Sequence, residues 1–315
     1  MRAAVLAGPR RFELHEVPLP EPGPGEVRVR LEGSGVCGSN LVPWQGRPWF
    51  RYPFRAGAPG HEGWGRVEAL GAGVAGLREG DRVALLSGHA FAEADVAPAD
   101  RLIPLPEAVR GPFPGEALGC GVNVFQRCRV RPGEVVAVVG AGFIGLTVCR
   151  LAAAAGAIVI AVSRRGAALA HARGQGASAA VPSVDPAEAI ASVEAIAGPR
   201  GCDVVVEAVG DQRSLDLATA LVREGGRLVI AGFHQDGTRT VDLGAWNWRG
   251  LEIVNAHERD PAVQRAGLAA AVEAVAAGRL DPSRLYTAFT LDRLDEAFLA
   301  MEERPGTFVK AVVTP

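Results

Sequence analysis

Four apolar runs in the middle of the chain constrain the fold most: EVVAVVGAG (134–142), IVIAVS (158–163), DVVVEAVG (203–210) and RLVIAGF (227–233). Each is continuously apolar rather than alternating, and helix-length segments such as FIGLTVCRLAAAAGA, LAHARGQGA and SLDLATALVREGG separate them. Continuous strands of this kind are buried on both faces, which requires a parallel sheet with helices packed on either side. The expected fold class is α/β, with a doubly wound parallel sheet. Residues 1 to about 105 read differently. There the strands AAVLAG, EVRVRLEG (26–33), WGRVEAL (64–70) and DRVALL (81–86) are short, and turn segments such as PLPEPGPGE and GAGVAGLREGD break them, the pattern of a small β-barrel or sandwich. After about 260 a helical stretch, VQRAGLAAAVEAVAAG, leads to FTLDRLDEAFLAMEE and a last strand, FVKAVV. A length of 315 residues suits two domains.

Charge and composition exclude several classes of function. With 33 basic and 35 acidic residues the net charge is −2, which offers no broad attraction to nucleic acid or to an anionic membrane surface. No uncharged run reaches the roughly 18 residues of a membrane helix. The first residues, MRAAVLAGPRRFELHE, hold no apolar stretch of signal-peptide length, so a cytoplasmic protein is expected. Five cysteines (Cys37, Cys120, Cys128, Cys149, Cys202) lack CxxC spacing and are odd in number, which argues for reduced thiols rather than a disulfide framework. Lys310 is the only lysine. Its isolation rules out a GxxxxGK phosphate loop, and a Tyr-x-x-x-Lys pair as well, because Tyr52 and Tyr286 lie far from it in the sequence.

Gly140-Ala141-Gly142-Phe143-Ile144-Gly145 closes one apolar strand and opens a helix. The first glycine permits the tight turn, the second lets a pyrophosphate approach the backbone, and the third lets helix and strand pack closely. A dinucleotide site is expected here, with the phosphates at the positive end of the helix dipole. About 20 residues on, where an NAD site carries a carboxylate for the ribose 2′-OH, the chain reads Ser163-Arg164-Arg165. These residues suit a 2′-phosphate and favour NADP(H). The alternative is a solvated arginine loop that tolerates either cofactor.

Cys37, in GVCGSN, follows a strand, and His61-Glu62, in GHEGWG, begins 24 residues later. Thiolate, imidazole and carboxylate are ligand types that suit Zn²⁺. GVCGSN, GHEGWG, a GDRV strand, a mid-chain Glu/Cys segment and the glycine turn, in that order, resemble the medium-chain dehydrogenase/reductase superfamily, specifically its zinc-dependent alcohol and polyol dehydrogenases. The resemblance spans nearly the whole chain. It implies a GroES-like β-barrel catalytic domain over 1–121, completed by about 260–315, and a Rossmann NAD(P)-binding domain over 122–259. It also implies Cys37 and His61 as catalytic zinc ligands and Glu62 as the neighbouring carboxylate that binds the metal or exchanges with water. The third ligand is Glu116 or, alternatively, Cys120. The four-cysteine lobe common in zinc-dependent members is absent after the GDRV strand, so one catalytic zinc and no structural zinc are expected.

In this family an open zinc position polarises the substrate oxygen. Ser39 resembles the hydroxyl that hydrogen-bonds that oxygen and passes its proton outward. The position five residues after the first ligand, often a relay histidine, is Val42 here. The implied function is hydride transfer between NADP(H) and a small-molecule alcohol or carbonyl substrate, in a homodimer or homotetramer. Two alternatives stay open: a zinc-free quinone or enone reductase of the same superfamily, and a non-catalytic NADPH-binding protein. Trp44, Trp49, Phe50, Trp246 and Trp248 are either pocket-lining or core and interface aromatics. His89, His234 and His257 are weaker cleft candidates, more readily surface or supporting residues.

Overall fold

Six strands of the central segment lie side by side in the order Ala179–Pro182, Ile158–Ser163, Val135–Val139, Cys202–Glu207, Val222–Ile230, Glu252–Asn255. Every pairing among them is parallel. Val136, Ala137, Val138, Val159, Ile160 and Val205 are fully buried, as continuous apolar strands covered on both faces must be. From Val135–Val139 the chain runs outward to one side, then returns to start Cys202–Glu207 on the other. That reversal opens a crevice at the carboxyl ends of these two strands, the place where doubly wound sheets bind ligands. Several elements lie outside the sequence reading, among them the strands Ala179–Pro182 and Glu252–Asn255 and the helix Pro186–Ala197. The helix start was written in the sequence as an Asp-Pro pair. Asp185 accepts hydrogen bonds from the N–H groups of Ala187 and Glu188, and Pro186 opens the first turn.

The computed structural model describes residues 1–315 and divides into two units, Met1–Gly119 with Gln264–Pro315, and Cys120–Val263. The second unit carries the parallel sheet. In the first, the strand Glu26–Gly35 pairs with Glu62–Leu70, with Ala94–Pro98 and with Lys310–Thr314, all antiparallel. Arg82–Leu85 and Leu102–Pro104 extend one side of this sheet, and Tyr286–Thr290 extends the other by a parallel pairing. Alternation along these strands sends Val27, Val29, Leu31, Val67, Val83 and Leu85 into one core cluster. A second cluster joins Trp44, Phe91, Phe298 and Met301. Trp44 therefore belongs to the core: its ring lies 5.7 Å from that of Phe298, and its indole N–H donates to Asp295. The fold class is thus a Rossmann sheet joined to a GroES-like β unit. No helix is long and apolar enough to cross a membrane.

Candidate active site

Within the first unit, sheet register sets the site. Gly35 pairs directly with Glu62, and its other neighbour strand pairs Val312 with the same glycine. Glu62 and Lys310 thus sit on the two strands that flank Gly35. The Glu62 side chain crosses over this glycine, where a Cβ would come 1.9 Å from Glu62 Oε2. Having crossed, Oε1 accepts from Lys310 Nζ at 2.6 Å, with both groups buried. Oε2 is buried with no hydrogen-bond donor.

Beyond the end of the Gly35 strand the chain turns through Gly38–Asn40. The turn is tied down by the buried side chain of Asn40, whose place in GVCGSN marks no role by itself. Its Oδ1 accepts from the Cys37 N–H at 3.0 Å, and its Nδ2 donates to Pro59 O at 2.9 Å. Pro59 O also accepts from His61 Nδ1 at 3.0 Å. A carbonyl can only accept, so Nδ1 carries a proton, and Nε2 is the nitrogen that would face a metal once its own proton is displaced. One asparagine and one carbonyl therefore aim both Cys37 and His61. The three-residue spacing from Cys37 to Asn40, which suits a side chain folding back on the backbone, was the signal available in the sequence.

The ligand-type atoms of Cys37, His61 and Glu62 all lie within 4.8 Å of one another. Glu116, in the first turn of the helix Gly115–Cys128, places Oε2 3.9 Å from His61 Nε2. Cys120 is half-buried one turn further along this helix, in the second unit. Ser39 is half-buried in the turn beside Cys37. Burial alone would lower the His61 imidazole, but hydrogen bonding and charge from Cys37, with the charges of Glu116 and Glu62, outweigh it and push His61 up to about 10. With His61 neutral and Cys37, Glu62 and Glu116 in their anionic, metal-binding forms, the ammonium of Lys310 on Glu62 would leave a charge of −2, which a divalent cation offsets. The donor set and the orphaned Glu62 oxygen both fit zinc.

In the second unit, Gly140 has φ +105°, a value open to glycine, and a Cβ on Gly145 would come 1.9 Å from Gly140 O. The helix Phe143–Ala154 starts at Gly142, which brings no side chain to the amino end of the helix, the end that favours an anion. Phe143 and Ile144 form the first turn of that helix. The neighbouring strand ends at Ser163, whose Oγ accepts from the Arg165 N–H at 3.3 Å. Arg164 is exposed, 4.0 Å from Asp211, and Arg165 precedes the helix Gly166–Gly174. Gly140 N–H donates to Val162 O, so the glycine turn and the Ser163–Arg165 segment lie at the same edge of the sheet.

A Rossmann sheet with this glycine turn, in one chain with a β unit that gathers Cys, His and Glu, defines the class of nicotinamide-dependent dehydrogenases. The comparisons narrow it. Residues 23–107 match the alcohol dehydrogenase GroES-like domain, and residues 144–271 match the zinc-binding dehydrogenase family. The chain is 32% identical over 267 residues to an alcohol dehydrogenase of Moraxella sp. (strain TAE123), covering 74% of this chain and 77% of that protein. It is 30% identical to human sorbitol dehydrogenase over 276 residues, covering 76% of each. An alcohol dehydrogenase from Thermus sp. ATN1 superposes with a TM-score of 0.86 at 25% identity, covering 100% of this chain and 99% of that one. The chain belongs to the zinc-dependent alcohol and polyol dehydrogenases of the medium-chain dehydrogenase/reductase superfamily. It is an oxidoreductase that uses a nicotinamide dinucleotide on a small-molecule alcohol or its carbonyl counterpart.

Proposed function

We propose that this enzyme transfers a hydride between NADP(H) and an alcohol or carbonyl substrate at a single catalytic zinc, with no structural zinc. The observation that carries this reading is the Cys37, His61 and Glu62 cluster with Glu116 beside it. Cys37, His61 and Glu116 would hold the metal, and Glu62 would share it or exchange with water. Bound zinc and nicotinamide supply Lewis acidity toward the substrate oxygen and a hydride acceptor or donor. The chain's own residues do the rest. Asn40 and Pro59 hold Cys37 and His61 in place, Lys310 neutralises Glu62, and the Ser39 hydroxyl hydrogen-bonds the substrate oxygen and moves its proton outward.

NADP(H) preference rests on Ser163, Arg164 and Arg165, which can donate hydrogen bonds and charge to a 2′-phosphate. Assembly as a homodimer or homotetramer is supported by the apolar side chains near the outer strand Glu252–Asn255, where Trp248 is 88% and Leu243 69% exposed. Five free cysteines support a cytoplasmic location.

The test is metal analysis of protein purified after metal-replete expression, paired with an alcohol and carbonyl panel followed by NADPH absorbance. About one zinc per chain with turnover of an alcohol or ketone is expected. Turnover of quinones or enones by metal-free protein would replace this reading with the zinc-free one.

A further inference from the structure

The last residue of the strand Cys202–Glu207 is a carboxylate with no solvent exposure, outside the cluster described above. Burying a charge here requires donors, and Glu207 has them. Its Oε1 accepts from the N–H groups of Val209 and Gly210, each at 2.8 Å, and from Ser214 Oγ at 2.8 Å. Its Oε2 faces His234 Nε2 at 2.8 Å. On the far side of the ring, His234 Nδ1 faces Arg239 Nε at 2.9 Å. A carboxylate only accepts and a guanidinium only donates, so one arrangement satisfies both contacts: Nε2–H donates to Glu207, and Nδ1 accepts from Arg239. Arg239 Nη2 then donates to Gly210 O at 2.7 Å, which closes a ring of contacts through Glu207, His234, Arg239 and Gly210.

This ring ties two loops together. One follows the strand Cys202–Glu207 and the other follows Val222–Ile230, and both leave the carboxyl edge of the sheet. Ala231 and Gly232 also donate their N–H groups to Glu207 O, at 2.8 and 2.9 Å. The first loop packs on the glycine turn, since a Cβ on Gly140 would come 2.6 Å from Val209 Cγ2. Each loop presents a half-exposed apolar side chain, Val209 on one and Phe233 on the other. In a doubly wound sheet the strands on this side of the switch point form the second mononucleotide half, and the glycine turn between the halves takes the pyrophosphate.

We propose that Glu207, His234 and Arg239 form a latch that seats the nicotinamide half of the cofactor, with His234 and Arg239 as positioning residues. The latch holds the Val209 and Phe233 loops at a fixed spacing beside the glycine turn, so that an aromatic ring meets a preformed apolar seat. This rests on the reading that the protein binds NADP(H).

The test compares two ligands, NADPH and adenosine 2′,5′-bisphosphate, which carries the adenine half alone. His234→Leu and Arg239→Met should each weaken NADPH by about tenfold, the loss expected when a loop is freed of one or two hydrogen bonds, and leave the bisphosphate unchanged. His234→Gln should restore NADPH affinity, because its amide can donate to Glu207 and accept from Arg239. Thermal unfolding of each variant checks that the fold is kept, and Arg239→Met leaves Glu207 its His234 partner. Equal weakening of both ligands, or no weakening of NADPH, would overturn the latch. If the unaltered enzyme prefers NADH, the NADP reading fails, and the same comparison with NADH and AMP decides the latch by itself. If the unaltered enzyme binds no nicotinamide cofactor, both are refuted.

Discussion

Lys310 Nζ and Glu62 Oε1 lie 2.6 Å apart in the interior of the first unit, although 248 residues separate them in the chain. They reach each other from strands on either side of Gly35, across the space that the missing side chain leaves. Breaking such a pair strands a charge away from water. Lys310→Met should therefore destabilise the metal-free protein by about 3–5 kcal/mol, read as a lower denaturant midpoint. Adding Glu62→Gln should recover most of that loss. A lysine variant with unaltered stability would show that the ammonium does not compensate the carboxylate.

Replacing both Arg164 and Arg165 with alanine should weaken NADP⁺ by about 100-fold or more, since each lost charge-assisted hydrogen bond is worth about 1.5–3 kcal/mol, and should leave NAD⁺ little changed. Binding titrations with the two cofactors measure it. Parallel losses would assign the pair to a solvated loop.

Glu116 approaches His61 Nε2, whereas Cys120 lies a turn further along the same helix. Glu116→Ala should lose bound zinc on dialysis and Cys120→Ala should keep it. The reverse pattern of metal content would transfer the ligand role to the cysteine.

Burial pushes the thiols of Cys128, Cys149 and Cys202 up to about 12, while Cys37 and Cys120 are half-buried. Iodoacetamide at neutral pH should label only the latter two in native protein, and added zinc should slow the reaction at Cys37. Peptide mass mapping reads the sites. Rapid labelling of any of the three buried cysteines would contradict their environment.

His61, pushed up to about 10 by Cys37, Glu116 and Glu62 against the opposing effect of burial, is protonated in the metal-free protein at neutral pH. Its folded value lies above the unfolded one, so the protonated ring stabilises the metal-free fold fully below about 6.5, and that contribution fades as pH rises through about 10. Zinc must displace the proton, so affinity should increase with pH over this window and binding should release protons. Calorimetry in buffers of differing ionisation enthalpy counts them. An affinity flat across the window would mean the ring is already neutral.

The strand segments and the glycine turn of the second unit were legible because each depends on neighbours in sequence: a covered parallel strand is continuously apolar, and a GxGxxG turn lies within six residues. The ligand types at Cys37, His61 and Glu62 were legible for a related reason, since motif and spacing mark the loops that carry them. Neighbouring sequence could not reveal which distant groups meet. Lys310 read as a lone lysine in an apolar strand, and only sheet register brought it to Glu62. Trp44 was equally readable as pocket or core until its packing against Phe298 decided. His234 read as a weak cleft candidate, and the fold gave it a buried carboxylate on one side and a guanidinium on the other. Local sequence carries backbone preference and burial pattern, while the charge and hydrogen-bond partners of buried polar groups depend on contacts that exist only after the chain has closed on itself.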